Sequence, residues 1–179
     1  MSLPLVTSSG SGDFIKLDEI NLLAPSPTID FLAIPVGYRS LYIVLQGRLT
    51  VAATDAFVGV QLNGDVGANY NTQYLYATGG SVSPASLSGQ TSGLIGLMTG
   101  ANGPADSAGI AIIDIPFYAE TVFQKTLRSS IADEFGATNL IVGDFVTRWL
   151  STVAINQITF LLASGSFDTG SQATLYGLR

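Results

Sequence analysis

The apolar residues of this chain fall in short alternating runs, punctuated by Gly, Pro and Asn-Gly turn signals. Alternation with period two sends successive side chains to opposite faces, the pattern of a half-buried strand. In residues 40–53, Leu41, Ile43 and Leu45 share one face and Tyr42 and Val44 the other. Val58, Val60 and Leu62 line one side of residues 56–62, Tyr74 and Tyr76 one side of 72–77, and Ile113, Ile115 and Phe117 one side of 109–119. Further strands are expected at 13–20, 28–34, 94–98, 121–132, 140–152, 155–163 and 172–178. Phe123, Leu127, Ile131 and Phe135 also recur every four residues, which leaves a helix open there. Thr126, Ser129 and Ser130 are poor helix formers and favour a strand. About ten short strands with Gly/Pro turns and no sustained helix predict an all-β fold, an antiparallel β-sandwich of jelly-roll type.

The 179 residues suit one domain with a proper core. Residues 1–12 end in Ser8-Ser9-Gly10-Ser11-Gly12 and read as an extended arm on a flexible joint, expected to pack against a neighbouring subunit. The sandwich is expected over 13–179. Within it, residues 78–108 are rich in Gly, Ser and Ala and read as a long excursion at one edge, with a short strand only at 94–98. A turn is expected at 133–139 around Gly136.

Hydrophobic residues make up 47% of the chain and charged residues 11%. Globular domains carry roughly 25% charged residues, so ordinary solvated surface is scarce here. Either partner subunits cover much of the exterior, or the fold tolerates a neutral Ser/Thr/Gly/Ala surface. The net charge of −6 and the scattered Lys and Arg argue against a nucleic-acid partner or an anionic membrane surface. No apolar run approaches the length of a membrane span, and the first residues do not read as a secretory signal.

The chain has no His and no Cys. This removes the commonest general base, the commonest transition-metal ligand and any thiolate site. Lys16 and Lys125 sit in no Ser-x-x-Lys pattern, and the adjacent carboxylates Asp18-Glu19 and Asp133-Glu134 point to opposite faces of a strand. No catalytic residue, cofactor or metal is therefore expected. The loop 63–70 offers oxygens from Asn63, Asp65 and Asn69 that would suit a hard cation, but Asn63-Gly64 reads first as a positive-φ turn. Trp149 alternates with Phe145 and Thr147 and belongs in the core, while Asp144 and Arg148 share the other face and are placed to pair. The tyrosines suit recognition because each joins an apolar ring to a polar tip, against an ordinary role at the boundary of the core. The candidate contact residues are Leu3, Leu5, Tyr38, Arg39, Tyr70, Tyr74 and Tyr76.

Three segments, in this order, carry a resemblance: Ile34-Pro35-Val36-Gly37-Tyr38-Arg39 leading into a central strand, Leu62-Asn63-Gly64-Asp65 in a loop, and Ser171-Gln172-Ala173-Thr174-Leu175-Tyr176-Gly177 at the close. Together they resemble β-sandwich modules of tailed-bacteriophage structural proteins, both head-decorating and tail-associated. The resemblance implies a virion protein. A capsid decoration or cement subunit, expected as a homotrimer on the major capsid protein, leads. A tail or baseplate component that recognises host carbohydrate through its tyrosines and the loop 63–70 is the alternative.

Overall fold

The structure, a computed structural model, describes residues 14–135 and 139–179. Residues 133–135 and 139 of the turn expected at 133–139 belong instead to strands. The arm at 1–12 with Leu3 and Leu5, and residues 136–138 of that turn, lie outside the described residues. Among them are twelve strands and no helix: β1 (Phe14–Asn21), β2 (Thr28–Phe31), β3 (Ser40–Gly47), β4 (Asp55–Leu62), β5 (Tyr70–Thr78), β6 (Ser81–Gln90), β7 (Gly93–Thr99), β8 (Gly109–Pro116), β9 (Lys125–Phe135), β10 (Asn139–Trp149), β11 (Ile158–Leu162) and β12 (Gln172–Leu178). They form two antiparallel sheets, of order β1-β12-β3-β8-β9-β10-β5-β6 and β2-β11-β4-β7.

The topology is a jelly roll with two insertions. Without β5–β6 and β9–β10, eight strands remain, and renumbered one to eight they run 1-8-3-6 in one sheet and 2-7-4-5 in the other. This is the double Greek-key order of a jelly roll. The hairpins β5–β6 and β9–β10 interrupt it between β4 and β7 and between β8 and β11. β10 pairs with β5 and β9 with β8, so together they extend the larger sheet as a four-stranded wing.

The expected alternation builds the core. Leu41, Ile43 and Leu45 of β3, Ile113 and Ile115 of β8 and Leu175 of β12 face Ile29, Phe31, Val58, Val60 and Phe160 of the other sheet, all buried. Each such side chain contributes about 1.5–3 kcal/mol relative to exposure. Trp149, Phe145 and Thr147 are buried on one face of β10, as the alternation requires. Phe117 departs from it. Its φ of 52° turns the chain out of β8, and its ring is exposed. The interval 121–132 resolves as strand, starting at Lys125, with Leu127, Ser129 and Ile131 inward and Phe123 exposed before it.

The weakly structured reading of 78–108 is corrected for its first half. Residues 81–90 form β6, paired with β5. Their Ser/Ala/Gly content gives no apolar stripe, because β6 is an edge strand with little to bury. The strand exists because the aromatic strand β5 supplies its ladder.

The edge of β7 away from β4 lies against the inner face of the wing, and side-chain hydroxyls serve its main-chain groups. Leu94 N donates to Thr72 Oγ1 (3.1 Å), Thr147 Oγ1 donates to Leu94 O (2.8 Å), and Ser129 Oγ donates to Ile95 O (2.5 Å). Thr72 and Thr147 also share a hydrogen bond of 2.7 Å. The approach requires a glycine: a Cβ on Gly93 would lie 2.2 Å from Thr147 Cγ2.

Candidate interaction surface

The wing exposes an apolar outer face. Register places Ile110 beside Ala132, Ala132 beside Val142, Val142 beside Ala77 and Ala77 beside Val82. One row across five strands therefore carries no polar side chain. Val142 is 55% exposed and Val82 64%. Ile112, Leu75, Val146 and Leu140 extend the patch, each exposed. A strand in an eight-stranded sheet has two faces to cover, and the small sheet covers only the inner one.

Asp144, Arg128 and Ser130 on this face engage one another. Asp144 accepts from Ser130 Oγ (2.7 Å) and Arg128 Nη2 (3.0 Å), and these hydrogen bonds, Ser130 first, hold its carboxyl below its ordinary range. The expected Asp144–Arg148 pair is thus corrected. The partner is Arg128, on the neighbouring strand, because cross-strand neighbours on one face lie closer than residues four apart along a strand.

Tyr74 and Tyr76 project from β5 to the inner face, half-buried. Tyr74 stacks on Phe145 (5.0 Å) and Tyr76 (6.1 Å), and Phe57 packs edge-on to Tyr76 and Phe145 and tilted against Tyr74. They form an aromatic end to the core where the wing overhangs the small sheet. Tyr38 and Arg39 lie at the opposite end of the larger sheet's first strands. The Tyr38 ring lies against Gly177, where a Cβ would be 2.5 Å away, so only glycine admits this ring. The Arg39 guanidinium sits 5.5 Å from the centre of the Phe117 ring.

Tyr70 is fully buried, and its hydroxyl is used internally. It accepts from Leu62 N (2.9 Å) and donates to Asp65 O (3.1 Å). Desolvation pushes its pKa up to about 12. As a contact residue Tyr70 is corrected: it anchors the loop from inside and presents no surface.

In the loop 63–70 the side chains of Asn63 and Asp65 are engaged by the chain itself. Asn63 (φ 53°) and Gly64 (φ 67°) form the expected turn, closed by Asp65 N donating to Leu62 O (3.0 Å). Asn63 Oδ1 accepts from Asn156 N (2.8 Å) and Gln157 N (3.1 Å), while its Nδ2 donates to Ala154 O (2.8 Å). Asp65 accepts from Trp149 Nε1 (2.7 Å), Asn69 Nδ2 (2.9 Å) and Gly67 N (2.8 Å). These donors, Trp149 first, lower its pKa. Oxygens ringed by N–H donors are oriented for donors rather than for a cation.

Two buried charged residues were not singled out by pattern. Lys125 Nζ donates to the carbonyls of Glu120, Phe123 (3.0 Å) and Thr152 (3.1 Å), and so pins the β8–β9 loop. Burial lowers its pKa, and Glu120 opposes that. Asp133 continues the inward series Leu127, Ser129, Ile131, which was the signal available in the sequence. Its Oδ1 accepts from Thr99 Oγ1 and Glu134 N (2.8 Å), while Oδ2 has no hydrogen-bond partner among the described residues. Burial, reinforced by Asp55 and Glu134, raises its pKa to about 6.

Among the described residues no three His, Cys, Asp or Glu side chains group as a metal site would require, and no helix is long and apolar enough to cross a membrane. Neither a protein-family model, nor a curated protein, nor a solved structure matches the chain.

Proposed function

We propose that the protein is a non-enzymatic virion subunit that works by binding, and that it decorates and stabilises a bacteriophage capsid as a homo-oligomer, a trimer by preference. The observation that carries the proposal is the uncharged row Ile110–Ala132–Val142–Ala77–Val82 on the outer face of the wing. Contiguous apolar patches on soluble proteins mark interaction sites, and burying this one adds stability to whatever assembly covers it. Jelly rolls serve capsids, lectins and metal-binding cupins alike, so the fold alone does not choose among them. The capsid reading draws on the resemblance of the Pro35–Arg39, Leu62–Asp65 and Ser171–Gly177 segments to phage modules. The carbohydrate-binding alternative has less to draw on in the loop 63–70, where Tyr70, Asp65 and Asn63 are engaged internally.

The test is a Leu75→Lys/Val142→Lys variant, both sites being exposed in the isolated chain. The wild-type protein should sediment as an oligomer, bind undecorated capsids and raise their melting temperature. The variant should fold normally and lose both binding and self-association. Equal capsid binding by the two proteins, or binding to host polysaccharide without capsid binding, would overturn the proposal.

A further inference from the structure

A second apolar feature lies at the end of the sandwich, away from the row on the wing. Pro116, Phe117, Val122 and Phe123, with Glu120, Gln124, Lys125 and Thr126 at its polar part, line a mostly apolar cavity of about 460 Å³ under the β8–β9 loop. Phe123 is 78% exposed and Val122 70%. The cavity is held open by the buried ammonium of Lys125, which ties the carbonyls of Glu120 and Phe123 to that of Thr152. A preformed apolar cavity of this size accommodates several aliphatic side chains.

We propose that its occupant is the chain's own segment 1–6, docked in cis through Leu3, Leu5 and Val6. Register supplies the geometry. Phe14, where the described chain begins, lies beside Leu178, Leu178 beside Ser40 and Ser40 beside Pro116. Phe14 is thus three strand spacings, about 14 Å, from the lip of the cavity. Its ring packs on Tyr42 (5.1 Å) and Tyr176 (6.2 Å), which project from the outer face, and Pro116 and Thr126 belong to that same face. The described chain therefore begins on the face that carries these two lining residues. Between Val6 and Phe14 lie seven residues, Thr7 to Asp13, six of them Ser, Gly or Thr. Seven residues span up to about 23 Å. A tether of this length and Ser/Gly/Thr composition gives an effective concentration on the order of millimolar, which favours the chain's own arm over a neighbour's. Met1, Leu3, Pro4, Leu5 and Val6 match the lining in character, and segment 1–6 carries no charged side chain to desolvate. The assignment does not depend on what the wing's outer face binds.

The absence of cysteine makes the test clean. Leu5→Cys is combined with Val122→Cys in one variant and with Leu23→Cys, exposed at the opposite end of β1, in another. Each is oxidised with oxidised glutathione at low protein concentration. The Leu5→Cys/Val122→Cys protein should form an intrachain disulfide at least about tenfold faster than the control, as a faster-migrating monomer on a non-reducing gel. Adding Leu3→Asp should remove that advantage. Equal rates in the two variants, or interchain dimers as the main product at Val122→Cys, would overturn the cis assignment. The second result would put the arm on a neighbouring copy.

Discussion

Asp133→Asn should change how stability depends on pH. Asp133 is 5% exposed, and its pKa rises from an ordinary 3.8 to about 6 in the fold. Between those values the folded chain holds a proton that the unfolded chain has released, so stability falls as pH rises. The loss begins near pH 4 and is complete above pH 6. A shift of that size corresponds to about 3 kcal/mol, a large part of a typical domain's stability. The structural origin is burial of the carboxyl, whose Oδ2 has no hydrogen-bond partner among the described residues. Asparagine keeps the acceptor used by Thr99 and Glu134 N and carries no charge. Urea unfolding followed by circular dichroism and by Trp149 fluorescence, from pH 4 to pH 8, measures both proteins. Asp55 and Asp114 are also raised by burial, so both profiles will slope, and the difference between them isolates Asp133. Relative to the variant, the wild type should lose about 3 kcal/mol between pH 4 and pH 7, or roughly 6–12 °C in melting temperature. Parallel profiles would refute the reasoning.

Asp65→Ala should destabilise the protein by about 1–3 kcal/mol at neutral pH, since it removes a charged acceptor from Trp149, Asn69 and Gly67. Because the fold lowers the pKa of Asp65, its contribution is present above pH 4 and lost on acidification, the opposite sense to Asp133, and acid titration of Trp149 emission should show it. Thr147→Val should lose about 1–3 kcal/mol in urea unfolding by stranding Leu94 O and Thr72. Phe145→Ala should lose about 3–5 kcal/mol in the same assay, through the stack with Tyr74 and the cavity left behind. Gly177→Val should destabilise the sheet and displace the Tyr38 ring, visible as changed Tyr38 resonances in the NMR spectrum.

Local pattern reached some features and stopped short of others, for identifiable reasons. Alternation in β3, β4, β8 and β10 named the core residues, because side-chain direction in a strand depends only on the parity of position. Asn63-Gly64 named its turn, because positive φ is a local property. β6 escaped notice because its ladder with β5, rather than its own side chains, holds it as a strand. The contact residues divided in the same way. Tyr74 and Tyr76 share a face as alternation requires, but Tyr70 faces inward too, and only the closure of the loop 63–70 shows that its hydroxyl is consumed there.

The sequence by itself determined an all-β, antiparallel sandwich and a chain without His or Cys. Both follow from period and composition, which need no knowledge of contacts. The tertiary structure decided which strands meet. β1 pairs with β12 and β2 with β11 across most of the chain, and two inserted hairpins find each other to make the wing. Those pairings depend on closing long loops around a shared core, an energy that no single segment carries. They alone line up Ile110, Ala132, Val142, Ala77 and Val82 from five separate strands into one surface, and they alone bury Asp133 with no partner for Oδ2 among the described residues.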